Sequence, residues 1–106
     1  TEVLAANGTG LVNVNLPSPE QFSISSPYPN PFNPEVSISF SMPVKSDISF
    51  SVFDISGRLV DQIHLMEIEA GIHDFTWNAT GFSSGIYFLN IESGTYREIR
   101  KITLMK

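Results

Sequence analysis

Residues 85–106 read GIYFLNIESGTYREIRKITLMK, and this stretch decides the fold because it predicts a β-hairpin of two strands. Its first arm places Tyr87, Leu89 and Ile91 on one face, and alternation with period two is typical of a half-buried strand. Ser93-Gly94 is the predicted turn, since a two-residue hairpin turn needs positive φ values that glycine adopts without strain. The stretch therefore predicts an antiparallel sheet.

The second arm of this hairpin alternates less cleanly than the first. Tyr96, Ile102 and Leu104 share a face with Glu98 and Arg100. Two charged residues on an apolar face indicate either a β-bulge or a middle section that lies at the edge of a sheet. The apolar pattern continues to the last residues, so we expect the final strand to be a structural part of the domain.

The composition of the 106 residues fits one β-rich domain with a single modest core. Apolar residues make up 42% and charged residues 16%, and no window has the apolar stripe of an amphipathic helix. The net charge of −5 argues against nucleic acid and anionic membranes as partners, because both attract clustered Lys and Arg. We also expect no membrane insertion, since no apolar run is long enough to span a bilayer. The absence of cysteine excludes disulfides and thiolate chemistry.

The first residues of the chain are interpreted separately from the rest. Residues 1–21 read as the tail of a preceding domain plus a linker, because two prolines near their end stop any strand. Residues 22–106 read as the domain itself. The sequence begins at Thr1, without an initiator Met, which indicates a piece of a longer protein. A second interpretation stays open, in which the alternating residues 11–16 add an edge strand to the domain.

Further strand patterns precede the hairpin at residues 22–25, 35–42, 47–54, 59–65 and 72–77. Turn signals separate them at regular intervals, and residues 67–71 read as a polar connection. About seven short strands with regular turns predict an antiparallel β-sandwich. Its two sheets are expected to enclose Phe40, Phe50, Val52, Trp77, Tyr87 and Leu89.

Residues 27–34, with the sequence PYPNPFNP, interrupt the strand patterns. Four prolines in eight positions fix φ and remove amide donors. This segment is therefore predicted to be a stiff, extended crossover rather than a strand of a ladder.

No catalytic, metal or cofactor site is predicted. His64 and His73 are the only histidines and lack the spacing of zinc ligands. The serines mostly occupy outward strand positions, without the glycine-flanked elbow of a nucleophile. Asp61, Glu67 and Glu69 read as solvated loop charge rather than as a catalytic carboxylate pair. We therefore expect a protein that is not an enzyme.

Two groups of residues have a specific structural interpretation. Asp54 and Arg58 flank a turn, where the carboxylate is expected to accept turn amides and to pair with the guanidinium. Trp77 is expected in the core, because it continues the apolar face of its strand. The alternative for Trp77 is an exposed carbohydrate-stacking platform shared with Tyr28 and Phe82.

Several short motifs occur in one order along residues 22–106. They are YPNPFNP at 28–34, VFDISGR at 52–58, AGIH at 70–73, Trp77, SGIYF at 84–88 and KITLMK at 101–106. In this order and position they resemble the type A C-terminal sorting domain of the type IX secretion system. They also resemble the related immunoglobulin-like domain of flagellar hook-capping proteins, although the short loop at residues 78–84 favours the sorting version.

This resemblance implies an immunoglobulin-like β-sandwich of about seven strands at the end of a larger exported protein of the Bacteroidetes. Such domains direct an N-terminal passenger from the periplasm through the outer-membrane translocon to the cell surface or the medium. In many members a surface peptidase then removes the domain, which would place a cleavage point within residues 16–26. The implied partners are the translocon, the surface attachment and peptidase machinery, and the passenger. A non-catalytic carbohydrate-binding module or a structural spacer is the alternative.

The resemblance also implies which residues the machinery recognises. They are Pro29, Asn30, Pro31 and Phe32 in the first motif, Gly57 and Arg58 in the second, and Gly85, Tyr87, Arg100, Lys101, Leu104 and Lys106 in the third. A stiff crossover and a hairpin would present a fixed surface and a strand edge, which a receptor can read by shape or by strand addition. In that arrangement Arg58, Arg97, Arg100 and Lys101 are expected to form a positive patch on an acidic domain.

Overall fold

A computed structural model describes residues 21–106, which form seven strands in two antiparallel sheets. The strands are β1 (Ser23–Ile24), β2 (Glu35–Met42), β3 (Ser46–Asp54), β4 (Leu59–Ile68), β5 (Gly71–Asn78), β6 (Gly85–Ser93) and β7 (Tyr96–Leu104). One sheet has the order β1-β2-β5 and the other the order β4-β3-β6-β7. The predicted immunoglobulin-like β-sandwich is confirmed. The alternative strand at residues 11–16 lies outside the described residues.

The core forms because most inward side chains of both sheets are apolar and become buried between them. All six residues that were expected inside are buried: Phe40, Phe50, Val52, Trp77, Tyr87 and Leu89. The Phe50 ring lies parallel to that of Phe75, with 3.8 Å between the ring centroids. Burying each large apolar side chain stabilises the fold by about 1.5–3 kcal/mol, so these layers provide the main driving force.

The turn of the final hairpin lies one residue later than predicted. Ser93 pairs with Tyr96, which leaves Gly94-Thr95 as the two-residue turn. Gly94 has a φ of 61°, the conformation that glycine adopts at no steric cost. The Ser93 hydroxyl also donates a 2.7 Å hydrogen bond to the Asp47 carbonyl of the neighbouring strand, which helps to hold this residue in β6.

The two alternatives for the second arm of the hairpin are also resolved. β6 and β7 pair in continuous register from Gly85↔Leu104 to Ser93↔Tyr96, without a bulge. β7 instead forms the edge of its sheet among the seven described strands. Its position at an edge is what allows Glu98 and Arg100 to occupy inward positions.

A correction concerns the polar connection predicted at residues 67–71, because β4 continues through this region to Ile68. The register between β3 and β4 shifts between Ser46 and Ile48, which accommodates an extra residue. Glu67 adopts a φ of 51° there, and its amide donates to the Asp47 carboxylate at 2.7 Å. β4 therefore continues through a bulge-like register shift, and the hydrogen bond from the Glu67 amide to Asp47 of β3 stabilises it.

The proline-rich residues 27–34, named here the strap, contain no strand, as predicted. They bend repeatedly rather than run extended, and the peptide bonds before Pro29, Pro31 and Pro34 are cis. Isolated bridges join Tyr28 to Ser37 of β2 and Phe32 to Leu104 of β7. The prediction of an extended crossover was wrong because the strap makes backbone contacts with both sheets within a few residues.

Candidate recognition surface

The Asn30 side chain binds the edge of β7. Its Nδ2 donates to the Lys101 carbonyl at 3.1 Å, and its Oδ1 accepts the Thr103 amide at 3.0 Å. One amide side chain thus replaces part of the ladder that a further strand would make. Exposed prolines at positions 29 and 31 flank Asn30 and fix the local φ angles.

Phe32 attaches the strap to β7 through both its backbone and its side chain. Its amide donates to the Thr103 carbonyl at 2.9 Å, and its carbonyl accepts the Met105 amide at 3.0 Å. Its ring is 2% exposed and lies 5.9 Å from that of Trp77, centroid to centroid. Asn30 and Phe32 of the first motif therefore meet Lys101 and Leu104 of the third.

The turn between β3 and β4 is organised by the Asp54 carboxylate, as predicted. Its Oδ1 accepts the Ser56 hydroxyl at 2.6 Å and the Ser56 and Arg58 amides at 3.0 Å each. Its Oδ2 lies 3.1 Å from Nε and Nη2 of Arg58. The hydrogen bond from the Ser56 hydroxyl, followed by that from the Arg58 amide, lowers the pKa of Asp54 below its usual value. Gly57 has a φ of 90°, which a residue with a Cβ adopts only with strain.

Tyr87 and Gly85 lie at the start of β6, beside the turn that contains Arg58. The Tyr87 hydroxyl donates a 2.6 Å hydrogen bond to the Ser83 carbonyl, an arrangement similar to the tyrosine corner of immunoglobulin-like sandwiches. A surface depression of about 370 Å³ has Arg58, Gly85 and Tyr87 in its lining. The second and third motifs therefore meet at this depression.

Lys106 is exposed and lies close to the same end of β6. Its backbone amide donates to the Ser84 hydroxyl at 3.1 Å. This contact places the end of the third motif next to the loop that precedes β6. The Lys106 side chain remains exposed to solvent beside that loop.

Tyr96, Glu98 and Arg100 form a partly buried polar network on the inward face of β7. The Tyr96 hydroxyl donates to Glu98 Oε1 at 2.7 Å, and Arg100 Nη1 contacts Glu98 Oε2. Arg100 Nη2 reaches the Ile24 carbonyl of β1 at 3.1 Å. The sequence indicated these charges only as an interruption of an apolar face. The structure shows that Arg100 ties β7 to β1.

The electrostatics of this network follow from its hydrogen bonds. Burial, followed by the hydrogen bond to Glu98, raises the pKa of Tyr96 to about 12. The hydrogen bonds from Arg100 and Tyr96 hold the pKa of Glu98 below its ordinary value. Glu98 is therefore a carboxylate and Tyr96 a neutral phenol at neutral pH.

The predicted positive patch does not form as a continuous surface. Arg100 faces inward, whereas Arg97 and Lys101 lie on the opposite face of β7, because successive side chains of a strand alternate. Arg97 pairs with Glu92 at 3.0 Å, and Arg58 pairs with Asp54. The prediction was wrong because it grouped these residues by sequence distance and not by face.

The structure also decides between the alternatives for Trp77. Its side chain is 2% exposed, and its Nε1 donates to Asp61 Oδ2 at 2.8 Å. The core prediction is confirmed, and Trp77 is not part of an exposed aromatic platform. Asp61 lies in β4, as the strand pattern at residues 59–65 predicted, but it was interpreted as solvated loop charge, whereas it accepts the indole N–H. A charged residue inside an alternating strand was the signal for this contact.

The remaining candidate residues for chemistry are dispersed. Glu67 and Glu69 are exposed and lie 3.8 and 3.5 Å from Lys45 Nζ, which is an ordinary surface arrangement. The His73 Nε2 atom is 2.7 Å from the Glu69 carbonyl. Among residues 21–106, no group of three or more His, Asp or Glu is placed to hold a metal ion. The same residues contain no helix long and apolar enough to cross a membrane.

One protein family matches this chain. The family model, described as a secretion system C-terminal sorting domain, covers residues 26–105. The match includes the strap, the Asp54–Arg58 turn and the β6–β7 hairpin. A search of curated proteins finds no match.

Proposed function

The chain belongs to the family of type IX secretion system C-terminal sorting domains, and on this basis we propose that it carries a passenger protein through the outer-membrane translocon. Membership itself means that the chain is a sorting signal that acts with the secretion machinery and a passenger. It also implies export to the cell surface or the medium, and the family is in general non-catalytic. The family match over residues 26–105 is the observation that supports the proposal.

We propose that the twelve expected recognition residues act in two different ways. Phe32, Tyr87 and Leu104 are buried, so they contribute by holding the strap and the hairpin in place. Arg58 and Lys101 are exposed, so they are available to contact the machinery directly. The folded surface, rather than a linear peptide, would then be the signal.

The division of the chain also forms part of the proposal. Residues 1–21 would be the tail of the passenger and its linker, and residues 22–106 the sorting domain. Where the domain is removed, the cut would fall within residues 16–26. A cut before Phe22 would leave the sandwich intact, because Phe22 packs against Phe40 and Tyr96 and β1 pairs with β2.

The test fuses the 106-residue chain to the C-terminal end of a periplasmic reporter in a host with type IX secretion. We expect the reporter at the cell surface or in the medium, and in the periplasm when residues 104–106 are deleted. Export that is equal with and without the domain would indicate a structural spacer. Retention of a folded, intact fusion in the periplasm would also refute the proposal.

A matched pair of substitutions separates recognition from folding. Lys101 and Lys45 are both exposed, but only Lys101 belongs to the expected recognition residues. Each change to alanine should alter stability by no more than about 0.5 kcal/mol. Lys101→Ala should reduce export, whereas Lys45→Ala should not. Equal export of both variants would remove Lys101 from the proposed surface.

A further inference from the structure

Among the residues that the structure describes, the strap covers only part of the edge of β7. The contacts of Thr103 with Asn30 and Phe32 show that odd-numbered residues direct their backbone groups away from β6. The strap occupies the Lys101 carbonyl and both backbone groups of Thr103. Within residues 21–106, no strand pairs with the backbone groups of Arg97 and Ile99, and the Ile99 carbonyl has only a long, exposed contact of 3.5 Å with Arg100 Nη1, which a partner strand would replace.

The side chains beside this uncovered edge form a specific pattern. Ile99 is 56% exposed and lies between Arg97 and Lys101 on the outer face of β7. An adjacent, mainly apolar groove of about 480 Å³ has Phe53, Ile55, Phe88 and Ile99 in its lining, together with the charged residues Asp54 and Arg97. Asn90, which also lines this groove, has a buried Oδ1 atom without a hydrogen-bond partner among residues 21–106. The pattern along the edge is cationic, aliphatic, cationic.

We propose that residues 97–101 bind an extended acidic segment of a partner protein by strand addition. The segment would have carboxylates two residues before and two residues after an aliphatic residue. In antiparallel register the aliphatic residue lies opposite Ile99, and the carboxylates lie opposite Arg97 and Lys101. The Arg97 contact with Glu92 is exposed, and such exposed pairs are readily exchanged for others.

A second copy of this chain fits the same edge less well. Symmetric antiparallel pairing centred on Ile99 would place Arg97 of each copy opposite Lys101 of the other. Like charges directly opposite each other destabilise a sheet. The strap also limits the available edge, because Asn30 already holds the Lys101 carbonyl. The strap limits any partner in this way, so a short acidic segment, which ends opposite Lys101 and avoids the like-charge repulsion, fits the edge better.

This inference rests on the proposed function, since the secretion machinery would supply the segment. The binding test, however, involves no export. It uses the full chain, labelled with nitrogen-15, and the capped peptide Gly-Glu-Thr-Ile-Thr-Glu-Gly. We expect saturable NMR shifts of the Arg97 and Ile99 amides, and at least tenfold weaker binding of the matched peptide Gly-Lys-Thr-Ile-Thr-Lys-Gly.

Two pairs of variants sharpen the test. Lys101→Glu should weaken binding of the Glu peptide and strengthen binding of the Lys peptide, whereas Lys45→Glu should change neither. Ile99→Pro removes an amide that faces the edge, a position where proline is tolerated, and should abolish binding. Ile99→Val keeps the amide and should bind. Thermal unfolding of each variant checks that the domain stays folded.

Several results would overturn the inference. They are equal binding of both peptides, shifts confined to other residues, or the absence of saturable shifts. Hydrogen exchange of the Arg97 and Ile99 amides should also be fast in the peptide-free chain. Slow exchange there would mean that residues 11–16 or a second copy already occupy the edge of β7. Failure of peptide binding with normal export would reject this inference alone, whereas loss of export with intact peptide binding would reject the proposed function alone.

Discussion

The two halves of β7 follow the same alternation but meet different surroundings. In the C-terminal half, Ile102 and Leu104 are buried, and the strap covers the edge. In the N-terminal half, Glu98 and Arg100 occupy the equivalent inward positions, and the strap does not reach the edge. An inward position in a sandwich is therefore not always an apolar one.

The two halves of β7 differ because different groups connect them to the other sheet. At the C-terminal half, Phe32 fills the space between the layers with an aromatic ring and extends the ladder with its backbone. At the N-terminal half, the short β1 offers a carbonyl, that of Ile24, which Arg100 binds. We call the contacts of Phe32 the apolar junction. We call the network of Tyr96, Glu98 and Arg100, with its contact to Ile24, the polar junction. The polar junction lies next to the uncovered edge, where a partner strand would bind.

The largest expected effect tests the apolar junction. Phe32→Ala removes a buried ring that contacts Trp77, and such truncations cost about 3–5 kcal/mol of unfolding free energy. We expect this loss in urea unfolding. The control is Tyr28→Ala, because Tyr28 is 78% exposed and its bridge to Ser37 uses backbone atoms. Equal losses in both variants would mean that the ring does not join the sheets.

A smaller effect is expected when the side chain that covers the edge is changed. Asn30→Ala removes two hydrogen bonds to β7, and each contributes about 0.5–1.5 kcal/mol. Hydrogen exchange of the Thr103 amide should accelerate. Asn30→Asp keeps the acceptor for this amide but loses the donor to Lys101, so it should protect Thr103 better than alanine does. Identical exchange in both variants would contradict the role assigned to Oδ1.

The contrast within β7 also explains how far the sequence could predict the structure. Residues 35–42 were assigned correctly because their alternation is uninterrupted, and a strand pattern is a local property. The contacts of Asn30 with β7 join residues 71 and 73 positions apart. Arg100 reaches a carbonyl 76 positions away. Such partners depend on topology, and local patterns contain no information about them.

Some errors were nevertheless avoidable. Alternation alone places Arg100 on the opposite face from Arg97 and Lys101, so the positive patch could have been rejected from the sequence. The end of β4 was different, because the strand continues past a register shift and the Glu67 amide bonds to Asp47 of another strand, which a local pattern does not predict. The recognition residues were expected from a resemblance. Alternation predicted that Tyr87 is buried, whereas the burial of Phe32 became apparent only from its packing against Trp77.

The polar junction gives the next smaller effect. Tyr96→Phe removes the hydrogen bond to Glu98 and should cost about 1 kcal/mol at neutral pH. The pKa of Tyr96 is raised from 10.0 to about 12 in the folded state, so the folded state holds this proton more tightly. The resulting stability is present below pH 10 and is lost as the pH rises through about 12.

The check on this prediction is a comparison of urea midpoints across that alkaline range. The advantage of the wild type over Tyr96→Phe should decline as the pH rises, because the variant has no phenol at this position. The difference between the two proteins isolates Tyr96 from other groups that titrate in both. A constant difference up to pH 12 would show that the network does not retain the proton.

The smallest expected effect is at the Asp54 turn, which borders the groove beside the uncovered half of β7. Asp54→Asn keeps an oxygen that can accept the Ser56 and Arg58 amides, so the substitution removes mainly the charge. The pKa of Asp54 is lowered in the folded state, which means that its contribution is present above the unfolded value of 3.8 and is lost as the pH falls through the lower, folded value. The stability difference between wild type and variant should therefore be constant at neutral pH and shrink under acid, as measured by thermal unfolding. A difference that persists below the folded pKa would mean that the geometry of the turn, and not the carboxylate charge, places Gly57 and Arg58 beside β7.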